Sequence, residues 1–300
     1  MPLIANTENA RIKTHPLNAA LGADISGVDL SRTHDQTTAN EIRQALEDYL
    51  VLRFRGQELD DPALIRFSQL FGELQPAPPT EHSATGHLKQ YPEIFVISNI
   101  VENGVSLGTL GNGEAEWHTD MSYQEITPGP TILHALTVTR TGGRTSLCNM
   151  YKAYEVLPVE LKRKIGRLSC KHDSSYTSAG DLRQGSRAVE RPDTAPGAVH
   201  PLVRVHPDTG RRALFLGRRR NAYIPGLPLA ESEELLDTLW HYATRPEHQW
   251  TQEWQVGDVV IWDNRWTMHC RESFDNSERR LMHRTQVAGE RPLGLADFTD

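Results

Sequence analysis

The sequence predicts a mainly β protein with peripheral α-helices, of the β-sandwich or jelly-roll kind. Three observations lead to this prediction. Beyond Gly72 the chain consists mostly of short apolar runs that alternate as strands do and are separated by turn residues. Helical patterns occupy only a few stretches between these runs. No repeat or shift in composition marks a second domain, so we expect residues 1–300 to form one domain, with a helical and loop insertion at about residues 150–200.

The first predicted helix covers residues 35–50. Its apolar side chains, among them Ile42 and Leu46, fall on one face at helical spacing. Thr38 and Glu41 have the spacing of a capping box, in which two side chains satisfy free N–H groups of the first turn. An amphipathic helix of this kind is expected to cover one side of a sheet.

A strand and a second helix follow. Residues 51–56, VLRFRG, alternate in the way that predicts a strand. The pattern over residues 60–72 predicts a helix, in which Asp61 caps the N-terminus, Pro62 suits the first turn and Gly72 ends the last turn.

The remaining elements are short strands and two helical stretches. Strands are predicted over residues 131–138, 201–206, 212–216, 258–264 and 280–287. The second and third of these flank the turn sequence PDTG and therefore form a predicted hairpin. Helices are predicted around residues 151–168 and 229–244. Residues 178–197 are polar and rich in Gly and Pro, which indicates a long surface loop or a lid.

Composition restricts the class of protein. The formal net charge of −7, from 32 basic and 39 acidic residues, argues against nucleic acid or an anionic membrane as the main partner. No apolar stretch has the length of a membrane span, and the first residues lack the pattern of a secretory signal. The 3 cysteines are far apart and form neither a zinc motif nor a disulfide framework. We therefore expect a cytoplasmic protein, and we expect it to form a homo-oligomer, either a dimer or a tetramer.

The stretch WHTDMSY holds half of a candidate metal site. On a strand, His118 and Asp120 would project from one face and Thr119 from the other. The pair alone is a weak signal, because a surface pair that binds nothing has the same spacing. A metal site therefore needs further ligands from elsewhere in the chain.

The C-terminal stretch offers the other half. His269 follows a predicted strand that ends in WDNR, and Arg280 and Arg284 would share one face of a later strand. Two arginines on a buried strand need anionic partners, because an unpaired buried charge is costly. Two imidazoles and one carboxylate are the ligands of non-haem Fe(II) oxygenases, which leave open positions on the metal. An arginine fork can pair with the far carboxylate of 2-oxoglutarate.

The chain also resembles the taurine/2,4-dichlorophenoxyacetate dioxygenase family, from about GADISGVDLS to its C-terminus. The segments that carry the resemblance are, in order, WHTDMSY, TGGRTSLCNMYKAYE, HPLVRVHPDTGRRALFL, WDNRWTMH and RRLMHRTQVAGERP. The resemblance implies a double-stranded β-helix (jelly-roll) fold. It also implies a dioxygenase that depends on Fe(II), 2-oxoglutarate and O2 and that releases succinate and CO2.

The resemblance further implies a role for each candidate residue. The iron ligands would be His118, Asp120 and His269. Arg280 would hold the distal carboxylate of 2-oxoglutarate, and Thr145 would hydrogen-bond that same cosubstrate. Arg284 matches an arginine that family members often use on the acidic group of the prime substrate. That substrate would be a small organic anion, such as a sulfonate, a sulfate ester, a phenoxy acid or another carboxylic acid.

Some residues leave alternatives open. His82 is displaced by several residues from the histidine with which the taurine enzyme contacts its sulfonate, and Glu114 replaces an uncharged amide of that enzyme. Residues 218–220, three arginines in a row, form either a solvated or subunit-facing patch or an attractive charge at the mouth of the site. Arg284 has a purely structural alternative, as one partner of an ion pair.

Two other functions fit the ligand set. A cupin-like zinc or manganese hydrolase would have no need of Arg280 and would turn over without oxygen or 2-oxoglutarate. A non-catalytic binding protein that kept the fold would fail to bind Fe(II). Iron binding and succinate release therefore separate the three functions.

Overall fold

Two β-sheets lie at the centre of the computed structural model, which describes residues 11–77, 90–113, 115–183 and 185–298. The larger sheet has eight strands and the smaller sheet has four. Along the chain, the strands are β1 (Lys13–Pro16), β2 (Ala23–Ser26), β3 (Val51–Phe54), β4 (Phe95–Ser98), β5 (Val101–Glu102), β6 (Val105–Ser106), β7 (Thr109–Leu110), β8 (Ala115–His118), β9 (Pro130–Thr137), β10 (Thr145–Asn149), β11 (Ser169–Lys171), β12 (Val199–Pro201), β13 (Val203–Val205), β14 (Arg212–Leu214), β15 (Gln249–Gln252), β16 (Val259–Asp263), β17 (Thr267–Arg271) and β18 (Leu281–Gln286).

The chain passes repeatedly from one sheet to the other. The larger sheet has the spatial order β1-β2-β3-β16-β9-β18-β4-β7, and the smaller sheet has the order β15-β10-β17-β8. The strands β15 to β18 alternate between the two sheets, and each pairs with antiparallel neighbours. This topology confirms the predicted jelly-roll fold.

Helices surround the sheets. They are α1 (Gln36–Tyr49), α2 (Asp61–Ser68), α3 (Met150–Glu155), α4 (Val159–Ile165) and α5 (Leu229–Ala243). The predicted helix over residues 151–168 is two helices, because Pro158 stands at the N-cap of α4 and cannot continue α3. The predicted helix over residues 229–244 is confirmed as α5.

The central strands of the larger sheet are buried on both faces. On β9, Leu133 and Ala135 belong to the core between the two sheets, together with Leu147 and Met268 of the smaller sheet. Ile132, which points the other way, belongs to a second core under α1 and α2. Strands buried on both faces hold their side chains in fixed directions, and this rigidity suits a site built between the sheets.

The predicted cap of α1 is wrong. Asp35 is the N-cap, and its carboxylate accepts a hydrogen bond of 2.9 Å from the N–H of Thr38. Glu41 instead accepts hydrogen bonds from the backbone N–H groups of Arg11 and Ile12, at 3.0 and 3.2 Å. The capping box therefore fails because Asp35 already satisfies the first turn, and Glu41 binds the N-terminal segment.

The predicted cap of α2 is wrong by one residue. Asp60 accepts a hydrogen bond of 2.8 Å from the N–H of Ala63, while Asp61 pairs with His283 at 2.6 Å. After α2 a short 3-10 turn leads to Gly72, whose φ of 140° ends the helical segment as predicted.

Two other predictions concern the loops. The hairpin around PDTG is confirmed, since β13 and β14 pair in antiparallel register. Within residues 178–197 the described part contains only a 3-10 turn, Pro192–Thr194, and isolated bridges, as a loop would.

The single domain with an insertion at about residues 150–200 stays a prediction. His82 and Glu114 lie outside the described residues. Along the described part of the chain, no helix has both the length and the apolar character of a membrane span.

Candidate active site

A cavity between the two sheets brings the candidate residues together. The smaller sheet contributes His118, Thr145 and His269, and the larger sheet contributes Arg284 from β18 and Trp262 from β16. The remaining lining residues are Ile97, Ala115, Asp120, Leu133, Ser178, Ala179, Arg271 and Arg280. Every site residue named from the sequence therefore lines one cavity.

Three ligand atoms converge at one end of this cavity. His118 on β8 and His269 on β17 are register partners, so their imidazoles stand side by side with ring centroids 4.2 Å apart. Their Nε2 atoms lie 3.7 and 3.9 Å from Oδ1 of Asp120. The three ligand atoms lie within 4.8 Å of one another. The strand β8 ends at His118, so Asp120 reaches the site from the following turn and not from the strand predicted for it.

Both imidazoles keep a nitrogen lone pair for a metal. The Nδ1–H of His118 donates to the carbonyl of Glu116 at 2.7 Å, so that in the neutral ring the lone pair lies on Nε2, which faces Asp120. Burial lowers the pKa of His269 to about 3. His269 is therefore neutral near pH 7, as a metal ligand must be.

Asp120 is held as an anion. Burial is the largest single effect and acts to raise its pKa, but the positive charge of Arg284 and the two neighbouring imidazoles together outweigh burial, and the pKa lies far below its ordinary value. Arg284 donates to Oδ1 at 3.2 Å, while Thr131 and Gln286 each donate to Oδ2 at 3.2 Å. Thr131 and Gln286 are register partners on β9 and β18. No sequence pattern predicts these two supporting residues, because their pairing joins positions 155 residues apart.

A second row of residues lies two positions along the strands of the smaller sheet from the row that holds the histidine ligands. Thr145 on β10 and Arg271 on β17 are register partners, next to the row that holds His269 and His118. In the same cavity lies Arg280, which precedes β18 by one residue. The sequence predicted Arg280 on the strand itself. The backbone instead leaves the sheet there, where Asn99 accepts from the Arg280 N–H at 3.0 Å and Ser98 donates to its carbonyl at 2.9 Å.

Arg280 is a buried cation without an acidic partner among the described residues. Burial, with a contribution from the neighbouring positive charge of Arg271, lowers the pKa of Arg280 to about 9. Burial also lowers the pKa of Arg271 to about 10. A bound anion would offset both costs, so this end of the cavity suits a carboxylate.

Arg284 has the structural role that the sequence left open, while its substrate-binding role stays a prediction. Its guanidinium pairs with Asp120 and lies over the ring of Phe95, with 4.8 Å between the guanidinium carbon and the ring centroid. Its Nε is buried and has no hydrogen-bond partner among the described residues. One part of the guanidinium is therefore structural, and another part remains available to a ligand.

The side chains of the three consecutive arginines, residues 218–220, all contact other residues of this chain. Arg218 is buried, its backbone bridges His118, and its side chain donates to the carbonyl of Tyr176 at 2.7 Å. Arg219 pairs with Glu233 and Asp237, both at 2.7 Å. Arg220 stacks 3.7 Å from the ring centroid of Tyr176 and donates to the carbonyl of Gly180 at 3.0 Å. A patch that simply faces solvent is thus the wrong interpretation of this run.

The segment that Arg218 and Arg220 contact covers the cavity. Ser178 and Ala179 form part of the cavity wall, and the carbonyl of Ser178 accepts a hydrogen bond of 3.0 Å from the N–H of Glu116. We call residues 176–183 the covering segment. It ties the polar loop to the strand that carries the first candidate ligand.

The ligand atoms fit a divalent iron. Two neutral imidazoles and one carboxylate on one side of a cavity form the facial set of non-haem Fe(II) enzymes. Thr131, Gln286 and Arg284 supply the outer hydrogen bonds that such a set needs to keep its orientation. The apolar wall formed by Ile97, Leu133 and Trp262 limits the access of water.

Comparisons with known proteins agree with this site. A sequence profile described as "Taurine catabolism dioxygenase TauD, TfdA family" matches residues 13–286. Pentalenolactone F synthase of Streptomyces avermitilis is 35% identical, over 91% of this chain and 93% of its own. An alpha-ketoglutarate-dependent sulfate ester dioxygenase of Pseudomonas putida is 33% identical, and the match covers 95% of this chain and 92% of that protein. The crystal structure of a taurine dioxygenase from Burkholderia xenovorans superposes with a TM-score of 0.77 and 33% sequence identity. The superposition covers 95% of this chain and 92% of that chain.

The fold, the site and these similarities define the class of protein as a 2-oxoglutarate-dependent non-haem iron dioxygenase, which uses Fe(II), 2-oxoglutarate and O2. The chain belongs to the TauD/TfdA family. The family predicted from the sequence is thereby confirmed, and the comparisons give no support to a cupin-like hydrolase or a non-catalytic binding protein.

Proposed function

We propose that the chain oxidises a small organic anion, such as a sulfonate, a sulfate ester, a phenoxy acid or another carboxylic acid. The observation that carries this proposal is the presence of Arg280 and Arg284 in one cavity with the three ligand residues. Two anions bind in such a reaction, the 2-oxo acid and the prime substrate. The cavity offers a separate arginine for each of them.

Each residue has a distinct role in the proposed reaction. The iron ligands are His118, Asp120 and His269. Arg280 and Thr145 bind the distal carboxylate of 2-oxoglutarate, since the guanidinium matches a carboxylate bidentately. Arg284 binds the anionic group of the prime substrate through the part of its guanidinium that Asp120 does not occupy.

The bound iron would supply the activation of dioxygen, which oxidises a C–H bond of the substrate while 2-oxoglutarate yields succinate and CO2. The protein provides the position of both organic molecules. Arg280 and Arg284 fix the charged ends of the two molecules, so that a C–H bond of the substrate faces the ligand cluster. The covering segment and the apolar wall exclude water from the site.

A substrate panel tests this proposal. Sulfonates, sulfate esters, phenoxy acids, carboxylic acids and amino acids are each incubated under air with iron and 2-oxoglutarate, and succinate release is measured. Any substrate found is then compared with its neutral amide or ester. We expect the anion to have a much higher kcat/KM than the neutral analogue. Equal kcat/KM values for the two would contradict the proposal that the substrate is an anion.

Arg284→Ala isolates the proposed substrate contact. It should raise KM for the anion and increase succinate formation that is uncoupled from product, because a misplaced substrate no longer meets the oxidant. Arg291→Ala is a suitable control, since Arg291 pairs with Asp297 on the surface. Unchanged coupling and KM in Arg284→Ala would leave Arg284 with its structural role alone.

We also propose a cytoplasmic location and a homo-oligomer, a dimer or a tetramer. Free cysteines support the location, since Cys148 and Cys170 are buried thiols in a chain with no disulfide among its described residues. Light scattering of the purified protein measures the oligomeric state, and a monomer would contradict the second proposal.

A further inference from the structure

Thr145 has an arrangement that its proposed role alone does not explain. Its hydroxyl oxygen lies 3.0 Å from Nε1 of Trp254. Trp254 follows β15, the edge strand that pairs with β10, and Thr145 faces Gln252 in that pairing. The contact therefore comes from the outer strand of the smaller sheet, away from the metal ligands.

The direction of this hydrogen bond is fixed by chemistry. An indole nitrogen can only donate, so Trp254 donates and Thr145 Oγ1 accepts. The hydroxyl group keeps its own proton for another acceptor. Among the described residues, none accepts a hydrogen bond from that hydroxyl; its one hydrogen bond is the one that it accepts from Trp254. Thr145 is buried, so an acceptor that completes its hydrogen bonding would come from a ligand in the cavity.

The surroundings select the kind of acceptor. Thr145 shares its part of the cavity with the guanidinium groups of Arg271 and Arg280. Two cations and one hydroxyl proton form a set of donors for a carboxylate. Thr145 also lies two residues along its strand from Leu147, which is in the row of His269. That spacing of roughly 7 Å suits a diacid whose other end binds at the ligand cluster.

We infer that Trp254 is a positioning residue for the cosubstrate: its N–H group orients the hydroxyl of Thr145 so that the hydroxyl proton points at the distal carboxylate of 2-oxoglutarate. This inference rests on the proposed function of Thr145 and Arg280. It assigns to Trp254 a task beyond packing, although its ring also packs against the core between the sheets.

The test uses full-length protein loaded with Fe(II) in the absence of oxygen, and it measures Kd by calorimetry. Trp254→Phe keeps an aromatic ring and removes the N–H group. We expect a roughly three- to tenfold weaker Kd for 2-oxoglutarate, the size of one hydrogen bond. In a Thr145→Val background the same change should have no further effect, because there is no hydroxyl left to orient.

Two controls separate positioning from packing. The first is 2-oxobutyrate, which lacks the distal carboxylate and should bind equally well to wild type and Trp254→Phe. The second is Trp250→Phe, which removes an indole N–H from β15, the strand just before Trp254, where Trp250 packs against Arg53. Trp250→Phe should leave the Kd for 2-oxoglutarate unchanged.

The outcomes distinguish the inference from the proposed function. An unchanged Kd for 2-oxoglutarate in Trp254→Phe would overturn the inference alone. So would an equal loss of 2-oxobutyrate binding, or effects that add to those of Thr145→Val, since both point to packing or to a damaged fold. Wild-type protein that binds no 2-oxoglutarate would overturn the proposed function, and the inference with it.

Discussion

His118, Asp120 and His269 are kept in the state that a metal requires by three different contacts. A backbone carbonyl sets the tautomer of His118, burial keeps His269 neutral, and the positive charge of Arg284 keeps Asp120 ionised. The site is thus prepared for a cation before the cation binds. An isolated carboxylate buried at this depth would be protonated more easily.

The ligand residues give the first prediction. His118→Ala, Asp120→Ala and His269→Ala should each lose most bound iron and nearly all turnover while the fold survives, because each removes one of three protein ligands. Metal analysis of the purified variants measures the loss. His241→Ala, on the surface of α5, is the control. Wild-type iron content in Asp120→Ala would show that the metal binds elsewhere.

Arg280 gives the second prediction. Arg280→Ala should weaken 2-oxoglutarate binding by on the order of 2–5 kcal/mol, because a buried carboxylate would lose its partner. Arg280→Lys should recover only part of this loss, since an ammonium group lacks the planar fork. The KM for 2-oxoglutarate is the measurement. Arg279→Ala is the matched control, because Arg279 pairs with Glu102 at the surface. Equal KM values for all of these proteins would place the cosubstrate elsewhere.

At the scale of elements, the covering segment is held by contacts from the strip of chain next to β8. Arg218 and Arg220 bind carbonyl groups of Tyr176 and Gly180, while Gly217 accepts a hydrogen bond from the N–H of Thr119 between the two ligands. The cover and the ligand turn are therefore joined through one short stretch, residues 217–220. Displacement of the cover would open the cavity at Ser178 and Ala179.

The third prediction concerns this cover. Arg220→Ala should speed amide hydrogen exchange in residues 176–183, because it removes a stacking contact and a hydrogen bond. It should also raise KM for the prime substrate more than KM for 2-oxoglutarate. Arg219→Ala is the matched control, since Arg219 pairs with α5 and not with the cover. Identical exchange in the two variants would show that Arg220 does not hold the segment.

Elements and site differ in how well the sequence predicts them. Alternation and turn residues predicted the strands, because they reflect local backbone geometry and burial. The motifs predicted the candidate ligands through chemistry that few residue types share. The sequence did not predict the roles of Thr131, Gln286, Arg271 or Trp254, since only the pairing of distant strands brings these common residue types to the site. The helix caps failed for a similar reason, because Glu41 and Asp61 make tertiary contacts while Asp35 and Asp60 cap the first turns.

At the scale of the whole molecule, buried neutral histidines link stability to pH. Burial lowers the pKa values of four such residues, His134, His172, His200 and His269. Between these lowered values and the ordinary value of about 6.5, the unfolded chain binds more protons than the folded chain. The free energy of unfolding is therefore highest above about pH 6.5 and falls as the pH drops below it.

The fourth prediction follows for the metal-free protein. From about pH 7.5 to about pH 5.5, each histidine whose pKa is strongly lowered should reduce the free energy of unfolding by on the order of 1 kcal/mol. His172 and His269 should make the largest contributions. Urea unfolding in the presence of a chelator measures this loss. His172→Phe, which keeps a ring stacked on Phe215, should show a pH dependence smaller by one proton. An unchanged pH dependence in that variant would contradict the argument.

The central claim is that one cavity binds Fe(II) through His118, Asp120 and His269, and 2-oxoglutarate beside it. Anaerobic titration of Fe(II)-loaded protein with 2-oxoglutarate, followed by the visible charge-transfer absorption of the complex, tests this claim most directly. We expect a saturable band for the wild type, a band that needs far more 2-oxoglutarate in Arg280→Ala, and no band in Asp120→Ala. A wild-type protein without the band, or an Asp120→Ala variant that titrates like the wild type, would contradict it.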